Sequence, residues 1–215
     1  MKAVACGPYE GRMRDLIHAL KYDRLRPAAR LLGQMLARTI AQLAPEAPAQ
    51  MLVVPVPLHR ARHAERGFNQ ARLLAAEAIA ILRRQVPDWR LTLAPSTLIR
   101  LRATESQAGL TTRQRRLNLR GAFTVSNPAA VSRCHILLVD DILTTGATAR
   151  AAARALLQAG AESVWVATLA RARRTDRAFD RSFAASETIE PSTAGAAAEI
   201  GLQHATMNAQ NQPSF

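Results

Sequence analysis

Apolar positions along the chain follow two different periods. Met13, Leu16, Ile17 and Leu20 recur at helical spacing, and Leu32, Met35, Leu36, Ile40 and Leu43 repeat the pattern, so two helices are expected to fill residues 1–45. A proline- and alanine-rich connection at 45–50 leads to an apolar run at 51–55 that reads as a strand. The stretch 69–84 carries Leu73, Leu74, Ile81 and Leu82 on one stripe, and its remaining alanines suit a helix lying close against a sheet. Short runs at 98–101 and 122–125 read as further strands, and 163–169 as the last one, after a helix that Gly160 ends. Strands alternating with helices predict an α/β fold, an open, mainly parallel sheet with right-handed crossovers and flanking helices.

The segment 136–148 carries the most chemistry. Ile136, Leu137, Leu138 and Val139 read as a buried parallel strand, and Asp140 and Asp141 stand where it ends. Thr144, Thr145, Gly146, Ala147 and Thr148 then make a small turn that opens into a helix over 149–159. Residues this small let backbone N–H groups close round a phosphate, the three hydroxyls add donors, and the helix points its positive end into the same cup. The two carboxylates would repel that phosphate, so they are expected to face polyol hydroxyls or a cation beside it. Phosphate on one side and acceptors for vicinal hydroxyls on the other describe ribose 5-phosphate.

Bulk properties narrow the setting. The 215 residues suffice for one α/β domain with extras, and no run of about 18 apolar residues or secretory-type leader is present, so a cytoplasmic protein is expected. Cys6 and Cys134 are too few and too far apart for a disulfide framework or a zinc site. The histidines show no metal-ligand spacing, and His59 and His63 sit in a proline-led turn where no helix is expected, so no protein metal site is assigned. The net charge is +13, and 27 of the 29 basic residues are arginine, a surface that attracts a pyrophosphorylated sugar or a nucleic acid. Phe68, Trp89, Phe123 and Trp165 are scattered rather than arrayed as a base-stacking platform.

A second constellation follows the strand at 51–55. Pro55, Val56 and Pro57 make a rigid exit, and Arg62 and Arg66 come next, ahead of Gly67, Phe68, Asn69 and Gln70. Ligands of open parallel sheets sit beyond the carboxyl ends of the strands, so this turn and the Asp-Asp-Thr-Thr-Gly loop should share one crevice, where the arginines could take a second anionic group such as pyrophosphate. Between 102 and 120 runs a polar, arginine-rich stretch containing Arg102, Thr104, Gln107, Leu110, Arg115 and Asn118. Its length inside a compact domain is that of a lid or binding loop. From Thr175 onward the periodicity disappears, and a disordered tail is expected over 175–215.

The hydrophobic strand, two acids and threonine-glycine loop at 136–148 resemble the PRPP-binding signature of type I phosphoribosyltransferases. The wording from Val54 to Gln70, the series Arg102, Thr104, Gln107, Leu110, Arg115, Asn118 and Phe123, and the early run Tyr9, Glu10, Gly11, Arg14, Leu16, Ile17, Lys21 and Tyr22 resemble the ComF family of competence-associated, phosphoribosyltransferase-like proteins. Many members of that family begin with a cysteine-rich zinc module; this chain starts just after where it would lie, so zinc is not carried over.

The resemblance implies a sheet of the type I phosphoribosyltransferase kind, with a helical hood region at 1–50, the phosphoribosyltransferase-like domain at 51–174 and the tail beyond it. It assigns Asp140 and Asp141 to ribose, Thr144, Thr145, Gly146, Ala147 and Thr148 to the 5-phosphate, and Pro55, Val56, Pro57, Arg62 and Arg66 to pyrophosphate. Arg102, Thr104, Gln107, Arg115 and Asn118 become a flexible loop closing over the site. The implied activity is transfer of the phosphoribosyl group from PRPP to an unidentified acceptor, with Mg2+ carried by the substrate. The alternative is a non-enzymatic accessory of DNA uptake or utilisation, with single-stranded DNA or a DNA-uptake helicase as partner; on either reading a homodimer is a candidate assembly.

Overall fold

The structure, a computed structural model, describes residues 2–22, 27–102 and 121–172. Thr104, Gln107, Arg115 and Asn118 of the expected loop, and the expected tail, lie outside the described residues. The elements run β1 (Lys2–Pro8), α1 (Gly11–Lys21), α2 (Pro27–Ala41), β2 (Gln50–Pro55), α3 (Arg60–Arg66), α4 (Gln70–Gln85), β3 (Arg90–Leu93), β4 (Leu98–Arg100), β5 (Phe123–Val125), a 3-10 turn (Pro128–Ala130), β6 (His135–Leu143), α5 (Ala147–Gln158) and β7 (Ser163–Arg171).

Five strands form one parallel sheet in the order β1-β7-β6-β2-β3, and β4 and β5 pair separately as an antiparallel ribbon. β6 lies at the centre because Ile136, Leu137, Leu138 and Val139 are all fully buried, as a strand covered on both faces requires. Alternation sends Leu137 and Val139 into a core with α1, α2 and α4, and Ile136 and Leu138 into a second core with α5 and the ribbon. The result is a three-layer α/β/α sandwich.

Three expectations change. Residues 2–8, expected within a helical start, instead form an edge strand in register with β7, Lys2 opposite Trp165. Their sequence, with Gly7, Pro8 and two alanines, carries little strand propensity, and the open flank of β7 supplies the pairing instead. β3, only four residues long, is too short to leave a readable period in the sequence. Residues 60–66 do form a helix, because His59 Nδ1 accepts from the Ala61 amide at 3.3 Å as its N-cap and Gly67, at φ 73°, ends it in the left-handed region.

On the first face α2 and α4 approach closely through small residues: Ala28, Ala29 and Ala37 on one, Ala71, Ala75 and Ala78 on the other, all buried. Gly33 is the tightest point, where a Cβ would stand 2.4 Å from Glu77 Cβ. Gly33→Ala is therefore expected to force the two helices apart and lower stability by about 1–3 kcal/mol, read as a lower urea midpoint with an unchanged m-value.

Candidate functional site

The sheet order contains one place where neighbouring strands send their connections in opposite directions. β2 leads through α3 and α4 to β3 on one side, while β6 leads through α5 to β7 on the other. Open α/β sheets bind ligands at such a switch point, beyond the strands' carboxyl ends. Both sequence motifs end there. Pro55 sits opposite Val139, and the Val56 amide donates to the Val139 carbonyl at 2.8 Å, one residue before the first acid. Asn69 joins the β2 exit to α4: its Nδ2 donates to the Val56 carbonyl at 3.0 Å while its Oδ1 accepts from the Arg72 amide at 3.2 Å.

On the β6 side the strand runs on through both acids to Leu143, still paired with β7, before the loop begins. α5 starts at Ala147, two residues earlier than its sequence pattern suggests, with Gly146 at φ 70° as its N-cap residue. Thr144 is exposed, Thr145, Gly146 and Thr148 are half-buried, and Ala147 is buried. The loop thus opens to solvent at the N-terminus of a twelve-residue helix, where backbone dipoles favour an anion. Arg150, a turn into the helix, braces it by donating through Nη2 to the Thr145 carbonyl at 2.6 Å.

The acids are adjacent on a strand and so face opposite sides of the sheet. Asp141 shares the face of Leu137 and Val139, where α1 and α4 reach it: Lys21 Nζ lies 2.9 Å and Gln70 Nε2 3.0 Å from its Oδ2. The carboxylate is only 8% exposed and the lysine 12%. Burial by itself would raise the Asp141 pKa; the Lys21 charge and hydrogen bond, the Gln70 hydrogen bond and the Arg66 charge outweigh it and hold the carboxyl below the ordinary range. A pair this deep is costly to break, because either partner alone is an uncompensated buried charge worth about 3–5 kcal/mol.

Asp140 shares the face of Ile136 and Leu138, with α5 and the β4–β5 ribbon. Its Oδ1 accepts from the Asp141 amide at 2.9 Å. Burial, then the charge of Asp141, pushes its pKa up to about 7, against the opposing pull of that amide, Lys21 and Arg100. Arg100, at the end of β4, has its guanidinium 5.5 Å from the Phe123 ring; burial and the nearby Arg62 lower its own pKa, while Asp140 opposes this.

The remaining assigned residues divide. Pro55 and Val56 are buried in the strand exit, and Pro57 is half-buried beside them. Arg62 is half-buried on the Arg100 side, whereas Arg66 is 7% exposed with its guanidinium 5.2 Å from the Tyr22 ring. Arg102 is exposed where the ribbon leaves the described residues. Sequence reading gave no role to Lys21, Gln70, Arg100 or Arg150. Lys21 had a signal: it is one of two lysines against 27 arginines, and lysine's compact ammonium suits a small buried pocket. Arg100 and Arg150 had none, since any arginine here is one among many.

Among the described residues no group of three or more His, Cys, Asp or Glu could hold a metal ion, and no helix is long and apolar enough to cross a membrane.

Residues 70–204 match the family model for the phosphoribosyl transferase domain. The chain is 34% identical over 173 residues to a protein of Salmonella typhi named DNA utilization protein YhgH, covering 79% of this chain and 72% of that one. It is 33% identical over 183 residues to Competence protein F of Haemophilus influenzae, covering 80% and 73%. Among solved structures, a hypoxanthine phosphoribosyltransferase from Staphylococcus aureus aligns with a TM-score of 0.41 at 16% identity, over 68% of this chain and 64% of that one. The family model and the two named relatives define a protein with a phosphoribosyltransferase domain. Within that class, the chain belongs to the ComF family.

Asp140 gives a pH test of this electrostatics. Unfolded, the carboxyl releases its proton near 3.8; folded, it keeps it to about 7. Between those values the native state binds more protons, so its contribution to stability falls as pH rises. Asp141 has the opposite sign, stabilising above the ordinary carboxylate range and losing this as pH drops below it. The urea midpoint is expected to decline from pH 5 to pH 7 in the wild type, and Asp140→Asn to flatten that decline.

Proposed function

We propose that this chain binds PRPP with Mg2+ at the β2–β6 switch point and transfers its phosphoribosyl group to an acceptor, releasing pyrophosphate. The single observation that carries this reading is the meeting of the two motifs: the Pro-Val-Pro exit of β2 is hydrogen-bonded to β6 one residue before Asp140, and β6 runs on into an open glycine loop at the N-terminus of α5. That arrangement offers dipoles for a terminal phosphate and a carboxylate for a sugar ring within one crevice.

The chain's residues then have separable tasks. The backbone of residues 144–148, with the hydroxyls of Thr144, Thr145 and Thr148, binds the 5-phosphate. Asp140 accepts from a ribose hydroxyl and favours the positive charge that grows on the ring as the bond from C1 to pyrophosphate breaks and the bond from C1 to the nucleophile forms. Arg62 and Arg100 stand on the same side and attract the departing pyrophosphate. Their mutual repulsion in the ligand-free chain is what an anion between them would relieve. Mg2+, a hard cation that keeps to substrate oxygens, supplies charge neutralisation on the pyrophosphate when bound.

A second reading is favoured by the relatives, one named for DNA utilization and one for competence, together with the +13 charge. On this reading the chain is an accessory of DNA uptake or utilisation, and its arginines bind the phosphate backbone of single-stranded DNA.

Two measurements separate these readings. PRPP with Mg2+ at a hundredfold excess over Kd should stabilise the chain by about 2.7 kcal/mol, seen as a raised melting temperature, and a pyrophosphate-release assay across amine and base acceptors should show turnover that Asp140→Asn abolishes. Unchanged melting would remove the PRPP reading. Binding to a labelled single-stranded oligonucleotide should weaken steeply with salt, log K falling by about 0.7 per contacted phosphate for each unit of log salt concentration; binding indifferent to salt would remove the second.

A further inference from the structure

Arg150 closes the first turn of α5, where a cation stands against the helix dipole, and that turn holds no acidic residue to offset it. Among the described residues its guanidinium pairs with no carboxylate either. Its partner is the loop itself: Nη2 donates to the Thr145 carbonyl at 2.6 Å. The same guanidinium lies against Gly146, where a Cβ would stand 2.9 Å from Nη1 and 3.6 Å from Cζ. A side chain at 146 would thus drive the arginine off the loop, besides being strained at φ 70°. The carbonyl and the N–H of one trans peptide point in opposite directions, and the described residues contain no cis peptide. Fixing the Thr145 carbonyl on Arg150 therefore turns the Gly146 N–H to the opposite side of the loop. Among the described residues nothing accepts from that N–H, while the next amide, that of Ala147, donates to Thr145 Oγ1 at 3.4 Å.

We propose that Arg150 is a positioning residue of the phosphate site: by holding the Thr145 carbonyl it aims the Gly146 N–H at the ligand's phosphate, and it sets a permanent positive charge behind the loop. This rests on the functional reading above and goes past it, because the loop motif ends at Thr148 and gives Arg150 no part. A charged donor polarises the peptide whose carbonyl it holds, so the N–H on the other side of that peptide becomes the stronger donor. A phosphate dianion is attracted by the helix dipole and by the guanidinium alike; two positive groups that oppose one another within the chain act together on the ligand. Arg154, one turn further along α5 and likewise exposed, makes no such bond to the loop among the described residues. It carries the same charge without the positioning contact.

The test compares wild type, Arg150→Met and Arg154→Met as full chains, by calorimetric affinity for PRPP with Mg2+. Both arginines are exposed helix positions that methionine fills without loss of helix propensity, so the fold is kept. Arg150→Met should weaken binding about tenfold, the size of one lost charge-assisted hydrogen bond. Arg154→Met, a loss of screened surface charge alone, should stay within about threefold of wild type. Proton–nitrogen correlation spectra then separate an aimed amide from a merely firmer loop. On saturation with PRPP and Mg2+ the Gly146 amide proton should move downfield in wild type, and by less than about half as far in Arg150→Met. Wild-type affinity in Arg150→Met, an equal loss in Arg154→Met, or a Gly146 amide that shifts equally in both saturated chains would each overturn the proposal. A wild-type chain that binds no PRPP overturns the functional reading itself, an outcome distinct from these.

Discussion

Two carboxylates on consecutive residues of a central strand cannot point the same way. β6 ends its apolar run at Val139 and carries Asp140 and Asp141 onward while still paired with β7, so the pleat drives one acid toward α1 and α4 and the other toward α5 and the β4–β5 ribbon. A charge sent into a helix-covered face has to be met there. Lys21 and Gln70 meet Asp141, and the positions of α1 and α4 at the sheet's carboxyl edge are tied to that requirement as much as to their apolar stripes.

This explains why the first fifty residues are integral to the sheet. β1 closes its edge against β7, α1 delivers Lys21 to the end of β6, and α2 packs on α4 through alanines and Gly33. The α4 N-terminus is fixed at the same edge by Asn69, which reaches the β2 exit with one end of its amide and caps the helix with the other. A few directional polar contacts therefore set the crevice, while two apolar cores hold the layers.

The surplus of arginine is distributed unevenly in effect. Among the described residues most of these side chains are exposed, where charge acts through its summed field. Arg62 is brought near Arg100 and Arg100 near Asp140, and Arg66 is laid on Tyr22 close to Asp141. These partly desolvated groups interact more strongly than exposed ones, because little water screens them.

Much of the architecture was legible in the chain itself. Four apolar residues before two acids marked the central strand, helical spacing marked α1, α2 and α4, and the threonine-glycine turn marked the loop before α5, because burial on a fixed face leaves a period in the sequence. β1 and β3 left no such mark: one is built of small residues and the other is four residues long, and both exist because a neighbouring strand offers an open edge. The sequence likewise determined which residues carry charge at the site, and only the tertiary structure decided which charges cancel. The pairing of Lys21 with Asp141 spans 120 positions, and nothing local to either residue encodes it; the pleat of β6 and the packing of α1 bring them within 2.9 Å.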